Sequence, residues 1–410
     1  MRIHNLEIKN IGPFRHEIVN FISQEDSEDT PPVIIITGEN GTGKSIILDA
    51  IRTLFAGLFG KIERDINSSL YFSIRAEISL NGNKLTNIKT QNKSKDGHFV
   101  NDDIDISKLF VSSLESKYAK DFVFDYWTSK LSQDKFNISN IQNIEHEKYL
   151  DDVLYGIHKN IDVTKIITYL DYLKGSKDSS ESEIGQRLYS ILEEIINIAI
   201  NHGELSHISR INLTPIIKIR DREISLDKLS SGNLYLIQRL INLVKQVYSI
   251  CLINQIPIKD YKEIKGVLLI DEAENHLHPK WQKIFLTNIL KLFPKLQIIV
   301  TTHSPFIVSS IENSRVYVCK DNIDHSTISE ETDFYINSPI EEILSSPLFS
   351  TSNFNVEITE LLKERKTAIT SKDKIKEEEI EEKLLKLNPD YFNYLNLNSI
   401  IDQLKNEKHK

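Results

Sequence analysis

Two acidic residues and a histidine, each placed after a short apolar run, are suited to phosphate chemistry with the help of a cation. Asp271 and Glu272 follow the apolar residues 267–270, and His303 comes shortly after a second such run. Runs of this kind are typical of buried parallel strands, whose carboxyl ends form the ligand-binding edge of open α/β sheets. Residues 280–290 carry apolar side chains at helical spacing, so the region predicts a strand, a helix and a second strand.

A phosphate-binding loop lies near the N-terminus. The apolar residues 33–37 predict a buried strand, and the loop that follows consists of Gly38, Glu39, Asn40, Gly41, Thr42, Gly43, Lys44 and Ser45. Glycines let backbone N–H groups turn toward phosphate oxygens, while Lys44 supplies a positive charge and Ser45 offers a hydroxyl to Mg²⁺. A helix at residues 46–51 completes the context that a Walker A motif requires. The loop therefore indicates binding of ATP and Mg²⁺.

Five of these residues together predict ATP hydrolysis. Lys44 and Ser45 bind the nucleotide and its cation, and Asp271 holds Mg²⁺, directly or through water. Glu272 polarises the attacking water and His303 contacts the γ-phosphate. The alternative is a strand end that merely exposes two acids, and the presence of the phosphate loop in the same chain argues against it.

Ser230, Ser231 and Gly232 open a very apolar helix at residues 234–247. One interpretation is a simple N-terminal cap. The other is a γ-phosphate site, because a helix N-terminus offers free N–H groups and serine hydroxyls. The position of this segment between the phosphate loop and the acid pair favours the second interpretation, with a nucleotide that is held by another subunit.

His276 and His278 alternate in the segment after the acid pair, which raises the alternative of a metal or nuclease site. We favour a subunit-contact loop, since the sequence shows no further cluster of ligands nearby. Residues 372–386 are rich in charge and predict a helix with a solvated face.

Composition narrows the class of protein. The chain has 410 residues, 40% of them hydrophobic, with a net charge of −9, which argues against a protein that coats nucleic acid but leaves a nucleic-acid partner open. The only two cysteines, Cys251 and Cys319, are far apart and form no CxxC pair, which favours a reducing cytoplasm. We expect no membrane segment and no secretion, because no apolar run approaches the roughly 18 residues that span a bilayer.

The order of the motifs resembles that of ABC-type ATPases, most closely the recombination and repair branch. The motifs are residues 38–45, the signature 229–233, the acid pair at 271–272, the D-loop 275–278 and the switch histidine His303. The signature is Leu-Ser-Ser-Gly-Asn where the family usually has Leu-Ser-Gly-Gly-Gln. The resemblance implies an ATP-sandwiched dimer, in which the signature of one protomer completes the nucleotide site of the other.

Further segments, 124–131, 229–240, 271–282, 301–310 and 388–392, resemble the PtuA-type ATPases of Septu and retron anti-phage systems. This resemblance implies a homo-oligomer built from ATP-sandwich dimers that works with an HNH endonuclease of the PtuB type. In a retron, reverse transcriptase and msDNA would be further partners.

The expected fold is α/β: an ABC-type P-loop ATPase head with a mixed or parallel sheet, flanking helices and an antiparallel β subdomain. Two β-rich runs around the turn signal at residues 81–83 predict a hairpin in that subdomain. We expect four segments: 1–95 with the Walker A motif and β subdomain, 96–222 as a mainly helical insert, 223–325 as the rest of the ATPase domain, and 326–410 as a helical C-terminal extension.

Three functions fit these observations. The first is an ATPase whose nucleotide state controls a partner nuclease in anti-phage defence, since the chain after His303 lacks the acidic cluster or HNH arrangement of a fused nuclease. The second is a RecF-like repair ATPase that acts on DNA, which predicts a basic face. The third is a nucleotide sensor that binds ATP and hydrolyses it slowly.

Overall fold

The computed structural model describes residues 1–23, 25–27, 29–56, 71–80, 84–93, 99–111, 115–128, 136, 138–155, 162–200, 202–346, 348–349 and 354–395. The chain forms two compact units, Met1–Ser338 and Pro339–Lys410. The predicted turn at residues 81–83 lies outside the described residues.

The strands of the first unit belong to a large mixed sheet and a small antiparallel sheet. They are β1 (Arg2–Ile11), β2 (Phe14–Asn20), β3 (Val33–Gly38), β4 (Ser73–Leu80), β5 (Lys84–Lys93), β6 (Phe99–Asn101), β7 (Val123–Trp127), β8 (Gly203–Ser209), β9 (Thr214–Ile219), β10 (Arg222–Ser225), β11 (Gly266–Ile270), β12 (Leu296–Thr301), β13 (Ser314–Asn322) and β14 (His325–Glu330). The large sheet has the order β6-β5-β4-β1-β2-β14-β13-β3-β12-β11-β7, and the small one β10-β9-β8.

The half of the large sheet that carries the predicted site is parallel. β13, β3, β12, β11 and β7 run in the same direction, and β3 lies between β12 and β13. Every residue of β3 and β11 is buried, as expected for central strands with covered faces. The carboxyl ends of β3, β11 and β12 therefore meet at one edge.

The other half of the sheet is an antiparallel subdomain. β1 pairs with β2 and β4, β4 pairs with β5, and β5 pairs with β6, all antiparallel. Together with the parallel half, these strands confirm the predicted α/β fold with a mixed sheet and an antiparallel β subdomain.

The helices of the first unit lie before, between and after these strands. They are α1 (Lys44–Ala56), α2 (Ile104–Lys108), α3 (Val163–Lys174), α4 (Ser179–Ala199), α5 (Ser231–Ile253), α6 (Pro279–Gln282), α7 (Phe285–Leu292), α8 (Pro305–Val308) and α9 (Thr332–Asn337). Only α5, among the helices that the structure describes, is long and apolar enough to cross a membrane, and 83% of its apolar window is buried inside the protein. We therefore assign α5 to the core.

The range 96–222 is less helical than we predicted. It contains α2, α3 and α4, but also β6, β7, β8, β9 and the first residue of β10. All five residues of β7 are buried, and the strand lies beside β11. It therefore lacks the alternation of polar and apolar residues by which a strand is recognised in a sequence. The small sheet packs through β8 on α4 and through β9 on α3.

The second unit is helical where it is described. Its helices are α10 (Ile340–Ser345), α11 (Val356–Ser371), α12 (Lys374–Leu387) and α13 (Pro389–Phe392). The hydrophobic core shared by α11, α12 and α13 is made of Ile358, Ile380, Leu384 and Phe392, together with Leu395. The large sheet includes β14, so the first unit extends to Ser338, beyond the boundary at 325 that we expected. The four-segment division itself stays a prediction.

Candidate active site

The phosphate loop connects the end of β3 to the start of α1 in a conformation that requires glycine. Gly38 has a φ of +152° and Gly43 a φ of +96°. A Cβ atom at Gly38 would overlap the carbonyl oxygen of Cys319, and one at Gly43 would overlap the ring of Phe14. These close approaches explain why the chain can wrap around a small anionic group only with glycine at these positions.

Lys44 reaches back across the loop that precedes it. Its ammonium group donates hydrogen bonds to the carbonyl oxygens of Gly38, at 2.9 Å, and Glu39, at 2.7 Å. Burial lowers the pKa of Lys44, while the negative charges nearby, including Glu274 and Asp271, oppose this shift. The amine is thus partly desolvated, which strengthens its interaction with a phosphate group.

The carboxylate of Asp271 lies at the centre of the site and is surrounded by hydroxyl groups. Its Oδ1 atom accepts hydrogen bonds from Ser45 Oγ at 2.6 Å and from Thr301 Oγ1 at 2.7 Å. The Oδ2 atom lies 3.4 Å from the hydroxyl of Tyr126 on β7. Side chains from the first turn of α1, from the end of β12 and from β7 thus converge on the acid that follows β11.

Ser45 and Asp271 form a donor set that fits Mg²⁺. A hydroxyl and a carboxylate, 2.6 Å apart, are the oxygen ligands that this hard cation prefers, and Mg²⁺ sites usually add phosphate and water oxygens to one or two carboxylates. The two residues assigned to Mg²⁺ from the sequence are therefore neighbours in space.

Glu272 has an unusual backbone conformation directly after the strand. Its φ of +54° lies in the left-handed region, which disfavours residues with a Cβ atom. Its backbone N–H donates to Thr301 Oγ1 at 2.9 Å, and its side-chain Oε2 accepts from Asn275 Nδ2 at 2.5 Å. Both the backbone and the carboxylate of Glu272, the predicted catalytic residue, are thus held in place.

Glu274 fixes the segment that carries His303. Its carboxylate accepts hydrogen bonds from Thr302 Oγ1 at 2.6 Å and from the backbone N–H of His303 at 2.8 Å. Burial, reinforced by the positive charge of Lys44, lowers the pKa of His303, although the acids around it act in the opposite direction. His303 is therefore neutral at physiological pH and has one ring N–H to donate.

The predicted signature lies beside the D-loop of its own chain. Ser230 caps α5, with its hydroxyl accepting from the N–H of Asn233 at 3.4 Å. A Cβ atom at Gly232 would overlap the carbonyl oxygen of His276, whose ring lies 5.6 Å from that of Tyr235. Ser230 and Ser231 are exposed. The structure thus contains the N-terminal cap, and the favoured role of these serines at a γ-phosphate stays a prediction.

The two histidines after the acid pair have no metal-binding arrangement among the described residues. His278 caps α6 by accepting from the N–H of Lys280 at 3.3 Å, and Pro279 follows at the first helical position. His276 and His278 are both exposed. The role of a subunit-contact loop, which we preferred to a nuclease site, stays a prediction.

Three residues of the site were missed in the sequence: Tyr126, Glu274 and Thr301. Glu274 could have been suspected, because it is a third acid close behind Asp271. Thr301 precedes His303 by two positions, but an ordinary threonine at the end of a buried strand has no distinctive pattern. Tyr126 depends on β7, a strand that the sequence analysis did not recognise.

Comparison with protein families decides the classification. Residues 33–309 match the family model described as "AAA domain, putative AbiEii toxin, Type IV TA system". The chain belongs to this AAA domain family. The AAA domain includes the phosphate loop, the acid pair and His303, so all the residues of the candidate site lie within it.

Two similar proteins confirm the resemblance to the PtuA-type ATPases of Septu and retron systems. The chain is 27% identical to the Septu protein PtuA of Bacillus thuringiensis over 75% of this chain and 73% of PtuA. It is 27% identical to the Retron Vc95 probable ATPase of Vibrio cholerae, over 42% of this chain and 36% of that protein. The SMC head domain from Thermotoga maritima aligns with a TM-score of 0.43 and 15% identity, covering 80% of this chain and 99% of that one.

The lowered pKa of His303 predicts a pH dependence of stability. The unfolded chain takes up this proton near the ordinary pKa of 6.5, whereas the folded AAA domain takes it up only at lower pH. The contribution of His303 to stability is therefore complete above pH 6.5, and it decreases as the pH falls toward the pKa of His303 in the folded protein. Between about pH 7.5 and about pH 5.5, the wild type should lose stability relative to His303→Gln. Urea unfolding of both proteins across this range measures the difference, and a difference independent of pH would contradict the assignment.

Proposed function

We propose that the chain is the ATP-hydrolysing subunit of a prokaryotic anti-phage defence complex, and that its nucleotide state controls a partner HNH nuclease. One observation carries the ATPase part: the Asp271 carboxylate accepts from the P-loop hydroxyl of Ser45 at 2.6 Å. The defence part is supported by the similarity to Septu protein PtuA over 75% of the chain. Such complexes act on phage inside the cell, so the proposed location is the cytoplasm.

The proposed reaction assigns one task to each residue. Lys44 binds the β- and γ-phosphates through its ammonium charge, and Ser45 with Asp271 holds Mg²⁺. When bound there, the cation would supply positive charge that offsets the charge of the phosphate groups. Glu272 orients a water molecule and accepts its proton as the water attacks the γ-phosphorus. The bond between this phosphorus and the β–γ bridging oxygen breaks, so that ADP leaves and inorganic phosphate is formed. His303, neutral because its pKa is lowered, donates its ring N–H to a γ-phosphate oxygen.

A second protomer completes the site in this proposal. Ser230 and Ser231 are exposed at the N-terminus of α5, where free N–H groups and hydroxyls are suited to bind the γ-phosphate of a nucleotide on another subunit. The exposed His276 lies next to Gly232, so the D-loop would join the same contact surface. The ATP-sandwich dimer would then be the unit from which larger assemblies are built.

Glu272→Gln tests the hydrolysis step. The amide is similar in shape and can still accept from Asn275, but it cannot take a proton, so kcat should fall by about 100-fold or more while the Kd for ATP changes by less than about threefold. Phosphate release and binding of a fluorescent ATP analogue measure the two quantities. The control is Glu193→Gln on the exposed face of α4, which should hydrolyse ATP like the wild type. Unchanged turnover in Glu272→Gln would remove the role assigned to this acid.

The defence proposal is tested by co-expression of the chain with the HNH protein encoded next to it. We expect a stable complex on gel filtration, and a nuclease activity that differs between ATP and a non-hydrolysable analogue. Comparison with the Glu272→Gln complex shows whether hydrolysis or binding sets this difference. A lone dimer whose ATPase rate rises on DNA would contradict the proposal and favour the RecF-like alternative. Tight ATP binding without turnover in any assembly would favour a nucleotide sensor.

A further inference from the structure

Thr301 lies where the end of β12 contacts the segment that carries the acid pair. It is the last residue of β12, between the P-loop strand β3 and the Walker B strand β11, and only 1% of it is exposed. The register pairs Ile270 with Val300, so the residues that follow, Asp271 and Thr301, leave the sheet side by side. A side chain at this position therefore faces the first residues after β11.

One threonine holds three consecutive residues of the opposite segment. Its hydroxyl donates to Asp271 Oδ1 at 2.7 Å and accepts from the backbone N–H of Glu272 at 2.9 Å. Its carbonyl oxygen accepts from the N–H of Ala273 at 3.0 Å. The hydroxyl donates its single proton to the carboxylate and accepts the amide N–H through a lone pair, so it binds both residues of the acid pair.

The backbone of Glu272 needs this support. A residue with a φ of +54° is strained unless it is glycine, and such strain persists only where the surroundings enforce it. The hydrogen bond from the Glu272 N–H to Thr301 fixes the peptide group that joins the two acids. Asp271 is also held by Ser45, but of these two hydroxyls only Thr301 reaches both acids.

We infer that Thr301 is a positioning residue, which orients the Asp271 carboxylate toward the cation and holds Glu272 in its left-handed conformation toward the attacking water. The inference rests on the proposed ATPase function. Thr301 does not touch the reacting atoms, so its removal should impair catalysis and cation binding more than nucleotide binding. This pattern differs from that of a threonine that only stabilises the fold.

The test compares Thr301→Val with Thr301→Ser. Valine has nearly the same shape without a hydroxyl, so kcat should fall by about 10- to 100-fold with a KM for ATP within about threefold of the wild type. Serine keeps the hydroxyl and should restore kcat to within about threefold. Electron paramagnetic resonance of Mn²⁺ in the presence of a non-hydrolysable ATP analogue should show about tenfold weaker Mn²⁺ binding in Thr301→Val only.

The matched control is Thr168→Val, which removes another buried threonine hydroxyl, one that donates to the carbonyl oxygen of Thr164 at 2.7 Å inside α3. It should leave kcat and Mn²⁺ affinity unchanged. Circular dichroism checks the fold of each variant, and if Thr301→Val does not fold, Thr301→Ala provides the same comparison with a smaller side chain.

Wild-type turnover in Thr301→Val, or an equal loss in Thr301→Ser, would overturn the inference while leaving the ATPase proposal intact. If the wild type binds ATP without hydrolysing it, the ATPase proposal fails instead. In that case the Mn²⁺ affinities still decide on Thr301, because they do not depend on turnover: unchanged affinity in Thr301→Val overturns the inference.

Discussion

The parallel pairing of β3, β12 and β11 is the constraint on which the candidate site depends. It brings the phosphate loop, the acid pair and the histidine segment to one edge of the sheet, although they are far apart in the chain. The Asp271 carboxylate connects the three, since it accepts from Ser45 after β3 and from Thr301 at the end of β12. A slip of one residue in either pairing would separate these groups and turn side chains to the other face.

The site also concentrates charge in a partly buried place. Burial lowers the pKa of Lys44 and of His303, the acids 271, 272 and 274 oppose both shifts, and His303 stays neutral. Groups that are preorganised and partly desolvated in this way stabilise developing charge without reorganisation during the reaction. Lys44 is held by hydrogen bonds to the phosphate loop, and the carboxylates of Glu272 and Glu274 are held by Asn275 and by the backbone of His303.

Much of this arrangement could be predicted from the sequence, because its motifs are local. The strand, loop and helix around Lys44 and the strand that ends in Asp271 follow from apolar runs next to glycine and acidic residues. The remaining features depend on tertiary contacts. β7 is buried and aromatic and shows no alternation of polar and apolar residues. Its fully buried Asp125 accepts hydrogen bonds from Trp127 and from Asn242 of α5, and no sequence pattern predicts this interaction. Thr301 likewise gains its role only from the register of β12 against β11.

The central claim is that ATP is hydrolysed at a site that combines Lys44 of one protomer with Ser230 of another. Mixing Lys44→Ala with Ser230→Arg tests it most directly, since each variant should be inactive alone. With random pairing, half of the dimers in an equimolar mixture contain one intact site of two, so the mixture should recover about a quarter of the wild-type ATPase rate. A mixture no more active than the separate variants, or a fully active Ser230→Arg, would contradict the account.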